Sequence, residues 1–344
     1  PYFLANGVTA IREAGDMVAP QKLVARYALD HPGISPRIFL ASPLIGNAPP
    51  IHQDAGWTIT KPEQVPEFVG EMEAWGVTTL KIYANCLPAV ARKVIEEGHR
   101  RGFKVTGHLS SYPVEQAVAD GIDSIEHIES VSDFLRADPR NRHSLDIESE
   151  KARRVIQQIA DRGVMVAPTL MVYWGTLLFV DVAEVMGHPD NRHMPPRLLE
   201  FWAKDRLVRL KNYSSGPLEI RRRTFDKYKQ LTLMLHRAGV KLLVGTDAPE
   251  PQVPPGWSLH HEMELLVEAG IRPSDVLRAA TWYNAKALGQ EASLGSLRAG
   301  KQADIVILDA NPLDDISNTR KIHLVVKAGE VLKPSGIVRS GRVI

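Results

Sequence analysis

Two hydrophobic periods alternate along residues 103–127. Lys104, Val105 and Thr106 form a short run rich in β-branched residues that stops at Gly107-His108. Val114, Ala117, Val118 and Ile122 then recur three or four apart, the spacing of one helix face, with Gly121 near its end. Residues 122–125 are a second short apolar run, and it stops at Glu126-His127. Strand, helix and strand in so short a span predict a βαβ unit of a parallel sheet. In such sheets chemistry gathers at the C-terminal ends of the strands, and here each strand ends in a His. Imidazoles on neighbouring strand tips are candidate metal ligands; a hydrogen-bonded loop His is the competing reading.

The same rhythm runs through most of the chain. Strands are predicted near residues 8, 37, 77, 103, 122, 164 and 240. Helices are predicted over 21–29, 62–75, 88–101, 147–162, 224–238, 258–269 and 273–288. Repeated βα units without a Gly-x-Gly-x-x-Gly fingerprint favour a (β/α)8 barrel over a doubly wound sheet. A closed barrel of this type needs about eight strands, so the first is expected to lie before residue 1. Residues 41–60, rich in Pro, Gly and Ala and carrying His52, read as a loop. Residues 171–225 form a long excursion rich in Arg and aromatics (Tyr173, Trp174, Phe179, Phe201, Trp202, Tyr213). It is expected to be a lid, or extra helices on the barrel mouth. From Gly289 the pattern changes to short strands and tight turns, and HLVVKAGEV reads as a hairpin turning at Lys327-Ala328-Gly329. The expected division is a barrel over 1–288, holding strands 2–8, and half of a β-sandwich over 289–344.

Composition narrows the partners. The chain has 344 residues, 44% hydrophobic and 24% charged, as in an ordinary globular enzyme. A net charge of +2, from 42 basic and 40 acidic residues, points to no nucleic acid and no anionic surface. No apolar run approaches the roughly 20 residues of a membrane helix. The single Cys86 excludes an internal disulfide framework and is compatible with a reducing compartment such as the cytoplasm. The partner expected is a small-molecule substrate, with homo-oligomerisation open.

Four positions on or at the strands offer ligands: Lys81, His108, His127 and Asp247. Asp247 ends the apolar run LLVGTD, where a buried carboxylate needs a cation or several donors. Capping the following turn is its alternative role. Lys81, inside LKIY, puts an ammonium in or near the barrel interior, where it must be paired or lose its charge. It can pair with Asp247 or Glu126, or react with carbon dioxide to become an anionic carbamate. Tyr83, two residues on, points to the same side of its strand and is a candidate substrate contact.

GVTAIRE, LKIY, VTGH, SIEH, VGTDAP, LHHEMELLVEAGIRPSDVLRAAT and LGSLRAGKQADIVILDANPL, in that order, resemble the amidohydrolase superfamily, in its imidazolonepropionase-like and Xaa-Pro-dipeptidase-like branch. The resemblance implies a metal-bearing (β/α)8 barrel and a β-sandwich built from both chain ends. It implies that Lys81 is a carboxylated, metal-bridging lysine, that His108 and His127 are ligands, and that Asp247 is both ligand and proton shuttle. The implied cofactor is one or two divalent metals, with Zn²⁺ first choice, and the implied reaction is hydrolysis of a C–N bond by metal-activated hydroxide. Hydrolysis of an ester, lactone or phosphotriester at the same site, and a non-catalytic barrel, are the alternatives. His260 is implied to lie near the substrate. Tyr173 and Trp174 are candidates to line an apolar pocket, residues 221–223 are expected to be a solvated Arg face, and His52 and His99 surface residues. The His-x-His expected at the end of the first strand occurs nowhere in this sequence, consistent with that strand lying upstream.

Overall fold

With one exception, parallel strands follow one another in space in the order in which they occur in the chain. The computed structural model describes residues 1–178, 183, 187–212 and 216–340. Within them β1 (Ala10–Arg12) pairs with β2 (Arg37–Phe39), Ile11 opposite Ile38. One residue later β3 (Ala41–Gly46) carries the path on, pairing with β4 (Gly56–Thr58) on one side and β5 (Thr79–Ile82) on the other. Then come β6 (Lys104–Gly107), β7 (Ser124–Glu126) and β8 (Met165–Ala167), each parallel to the one before. A parallel bridge from Val166 to Leu242 extends the series past β8. Helices cover the outside, with Val90, Val94 and Ile95 of the helix Pro88–Arg100 buried in one hydrophobic core with Leu80, Val105, Ile125 and Val166 of the strands.

The sheet is curled. Arg12 on β1, which belongs with β2 to a separate two-stranded sheet, forms an ion pair with Glu126 on β7 of the six-stranded sheet, where β5 and β6 lie between β3 and β7. The parallel path β1, β2, β3, β5, β6, β7 must bend round for its first and sixth strands to touch through the interior. Among the described residues no backbone pairing joins Leu242 to β1, so the ring is not closed by hydrogen bonds.

Three predicted elements differ. Residues 41–46 are a buried strand, not loop. Pro43 hid it: proline cannot donate to a ladder, and the β3–β5 register shifts between Ala41 and Leu44, around that residue. The strand expected at 240–244 shrinks to the Leu242 bridge. There the side-chain amide of Asn284 replaces a neighbouring strand, accepting from Val244 N–H at 3.2 Å and donating to its carbonyl at 2.8 Å. The helix expected from 224 starts at Leu218 and runs to Arg237. This buries Arg221, whose guanidinium donates to the Leu177 carbonyl at 2.7 Å; the Arg run is thus not a wholly solvated face.

The excursion is largely helical. It contains a turn of helix at Leu170–Tyr173, a π-helical turn at Trp174–Leu178 and a longer helix at Pro196–Asn212. Phe179 and Tyr213 lie outside the described residues. Trp202 is fully buried and donates its indole N–H to the Pro249 carbonyl at 3.1 Å, fastening the excursion to the loop after Asp247.

The C-terminal region holds an antiparallel sheet of β9 (Ile305–Leu308), β10 (Ile322–Lys327) and β11 (Glu330–Leu332), in the order β11–β10–β9. The predicted hairpin is present, Lys327 opposite Glu330, with Ala328 and Gly329 at φ 51° and 87°. Leu4 and Ala5, of the first helix Tyr2–Ala5, pack with Val325 and Ile337 into a separate small core. Among the described residues no helix is long and apolar enough to cross a membrane.

Candidate active site

Because the strands are parallel and in register, their last residues meet at one end of the sheet. Lys81 lies opposite Thr106, and Gly107 opposite Ile125. Backbone bonds then fix the tips: Tyr83 N–H to the Ile45 carbonyl at 2.9 Å, His108 N–H to Ile82 at 3.0 Å, His127 N–H to Ala167 at 2.8 Å. The His108 and His127 rings lie 4.5 Å apart, and Tyr83 meets His108 edge-on at 5.2 Å. His127 Nε2 is 3.9 Å from Asp247 Oδ2. That is too long for a hydrogen bond. It is close to the roughly 3.4 Å that separates two donors each about 2.1 Å from one tetrahedral metal.

Backbone strain collects here. His127 (φ 68°), Thr169 (φ 48°) and Asp247 (φ 60°) are left-handed without being glycine. Such conformations cost on the order of 1–3 kcal/mol each and survive where the surroundings enforce them.

Electrostatics in the interior are equally unusual. Lys81 is 2% exposed. No hydrogen bond or ion pair reaches its Nζ among the described residues; its backbone N–H donates to Ser42 Oγ at 2.9 Å. Burial lowers its pKa, with Glu126 and Asp247 opposing and Arg12 adding to the effect. Burial alone would raise Glu126, but Arg12 and Lys81 hold it at about 2, helped by a 2.6 Å bond from Thr106 Oγ1. Burial and Lys81 push His127 down to about 3. Burial, His127 and Lys81 put His108 well below the usual imidazole range. Both rings are therefore neutral near pH 7, the form that binds metals.

Lys81, Tyr83, His108, His127 and Asp247 thus come to the same end. Among the described residues no hydrogen bond, ion pair or ring contact links His260 to them. It is buried, its Nδ1 lies 3.0 Å from Thr319 Oγ1 in the 3-10 helix Ile316–Arg320, and Arg320 is the charge beside it. Its neighbour His261 instead meets Trp174 at 4.3 Å between ring centres. Tyr173 is buried against Tyr228. His52, though exposed, reaches in to bond Tyr83 Oη at 2.8 Å, whereas His99 stays outside and pairs with Asp123.

Several participants escaped the sequence reading. Arg12 is one, paired with Glu126, which the sequence offered only as a partner for Lys81. Glu13, raised by burial, lies close enough to feel Asp247. Thr169 Oγ1 is 2.7 Å from His127 Nδ1. One signal was present: Thr106, Ser124 and Glu126 put polar atoms at alternate positions of apolar strands, and they bond to one another in the interior.

Among the described residues no three His, Cys, Asp or Glu side chains form a ready metal-holding group. Two neutral imidazoles, a carboxylate at near-bridging distance and an unpaired buried amine nonetheless make a donor set that suits a divalent ion.

A curled parallel sheet thus carries strained, ionisable residues on its strand tips. The chain belongs to the Amidohydrolase family, whose model matches residues 3–332 and whose members generally use a divalent metal. It is 35% identical to an ochratoxinase of Aspergillus niger over 106 residues, 29% of this chain and 21% of that protein. It is 32% identical to an imidazolonepropionase of Shouchella clausii over 105 residues, 29% of this chain and 23% of that one. The matched stretches thus span only about a fifth of these relatives. Among solved structures, a bottromycin amidohydrolase superposes with a TM-score of 0.77 at 21% identity, covering 99% of this chain and 75% of its own. A structure described as a putative prolidase from Bifidobacterium longum gives 0.71 at 24% identity, covering 99% and 79%. These two support the fold.

Proposed function

We propose that the chain is a metal-dependent hydrolase of a C–N bond in a dipeptide, N-acyl amino acid or cyclic amide. The observation that carries this is the approach of His127 to Asp247 on strand tips shared with His108 and Lys81. In this reading His108, His127 and Asp247 hold one or two divalent ions, Zn²⁺ suiting the imidazole and carboxylate donors best. When bound, the metal supplies Lewis-acid polarisation of the scissile carbonyl and acidifies water.

The chain's own groups do the rest. The Asp247 carboxylate takes a proton from the attacking water and returns it to the leaving nitrogen. Lys81 Nζ, whose pKa burial lowers, gives up a proton and adds to carbon dioxide; an N–C bond forms, a second proton leaves, and the resulting carbamate is a further oxygen donor. Tyr83 Oη, bonded to His52, orients the substrate's carboxylate. Trp174, with His188 and His261 around it, is a wall for an apolar substituent.

The test is a panel of dipeptides, N-acyl amino acids, cyclic amides, esters and lactones, with zinc or with a chelator. Chelator-sensitive release of amine supports the reading. Turnover confined to esters or lactones moves the reaction class, and no turnover of any member refutes it.

A further inference from the structure

Glu262 is fully buried in the helix Trp257–Glu268, within the stretch LHHEMELLVEAG, and has no part in the chemistry above. Its two carboxylate oxygens accept from Leu170 N–H at 3.0 Å and Met171 N–H at 2.7 Å. Those are the first two residues after Thr169, and Thr169 is left-handed at φ 48°, ψ 47°. A β-branched residue avoids that conformation unless something holds it there. Thr169 is also buried, and its hydroxyl is 2.7 Å from His127 Nδ1. The other ring nitrogen, Nε2, looks toward Asp247. One rigid path therefore runs from the helix carboxylate through two amides and a strained threonine to the ring of His127.

We propose that Glu262 and Thr169 are positioning residues for His127. Glu262 clamps the turn that forces Thr169 left-handed, and Thr169 Oγ1 accepts the Nδ1 proton of His127. The Nε2 lone pair then points at the space shared with Asp247 and His108. A hydrogen bond on the far nitrogen fixes the tautomer and the ring plane, and removing such a partner typically costs about 10–100-fold in metal affinity. The inference rests on His127 being a ligand, but its first consequence is visible without any metal.

The experiment uses the full chain, ¹⁵N-labelled and stripped of metal, followed by zinc titration against a competing chelator. In the metal-free protein His127 is expected as one neutral tautomer with its proton on Nδ1. Thr169→Val removes the acceptor at nearly constant volume; a mixed tautomer and a 10–100-fold weaker zinc affinity are expected, both restored in Thr169→Ser. Glu262→Gln turns an NH₂ group against one of the amide donors and is expected to give an intermediate loss. Should Thr169→Val fail to fold, Thr169→Ser and Glu262→Gln decide: wild-type tautomer and affinity in Glu262→Gln overturn the inference. A mixed tautomer in the wild type also overturns it. A fixed Nδ1–H tautomer in a protein that binds no zinc supports the positioning role and refutes the metal reading instead.

Discussion

The strand tips of the parallel sheet and the small antiparallel sheet both contain left-handed residues, for different reasons. Ala328 and Gly329 are left-handed because a two-residue hairpin demands it, and the turn explains them completely. No hairpin requires it of His127, Thr169 or Asp247. Their strain coincides with buried charge, neutral imidazoles and a lysine whose amine has no hydrogen-bond or ion-pair partner among the described residues. Meanwhile the small sheet leaves Val306, Ile307 and Val331 at 37%, 43% and 63% exposure, and the charge it buries is Lys327. Strain that local geometry does not need marks the end of the molecule built for chemistry.

The contrast can be broken at several points. The largest effect is expected from Asp247→Asn, which keeps the shape but removes the base. Turnover on whichever substrate the panel identifies should fall about 10²–10⁴-fold with the far-UV spectrum unchanged; near-normal turnover sinks the shuttle role. Next is Arg12→Ala, which strands Glu126 as a buried charge. Denaturant unfolding should show a loss of about 3–5 kcal/mol. A loss below about 1 kcal/mol would mean that the pair does not hold the curled sheet together.

A pH effect follows from His260, held at about 3 by burial and Arg320. The unfolded imidazole, near 6.5, binds a proton that the folded one refuses. Stability is therefore lost as pH falls from about 6.5 toward 3, at about 1.4 kcal/mol per pH unit from this residue. His260→Asn should remove that share of the slope, and an unchanged slope in unfolding measured from pH 7 to 4 contradicts the burial. The smallest effect belongs to the hairpin. Ala328→Gly relieves the left-handed alanine and should stabilise by about 0.5–1 kcal/mol, read as a small rise in Tm, with no effect on metal or turnover.

Local periodicity made β5 to β8 legible, and with them Lys81, Tyr83, His108 and His127, because each strand stops at its polar tip. The edges were harder. Pro43 disguised β3, and the run at 240–244 looked like a strand although Asn284, some 40 positions away, takes over part of its bonding. Arg12 and Glu126, 114 positions apart, meet only because the sheet curls, and no spacing reveals that. Arg221 looked like its neighbours in an exposed run until the Leu177 carbonyl was found beneath it. His260 was placed by motif near the substrate; the structure shows its Nδ1 beside Thr319 Oγ1, a contact no spacing reveals.

Metal content per chain, by elemental analysis after loading with zinc and removing the excess, tests the central claim most directly. It should be measured on the wild type, on a His108→Ala/His127→Ala variant and on Lys81→Ala. The account predicts one or two ions in the wild type, less in Lys81→Ala and essentially none in the double variant. A metal-free wild type, or equal content in all three proteins, would contradict it.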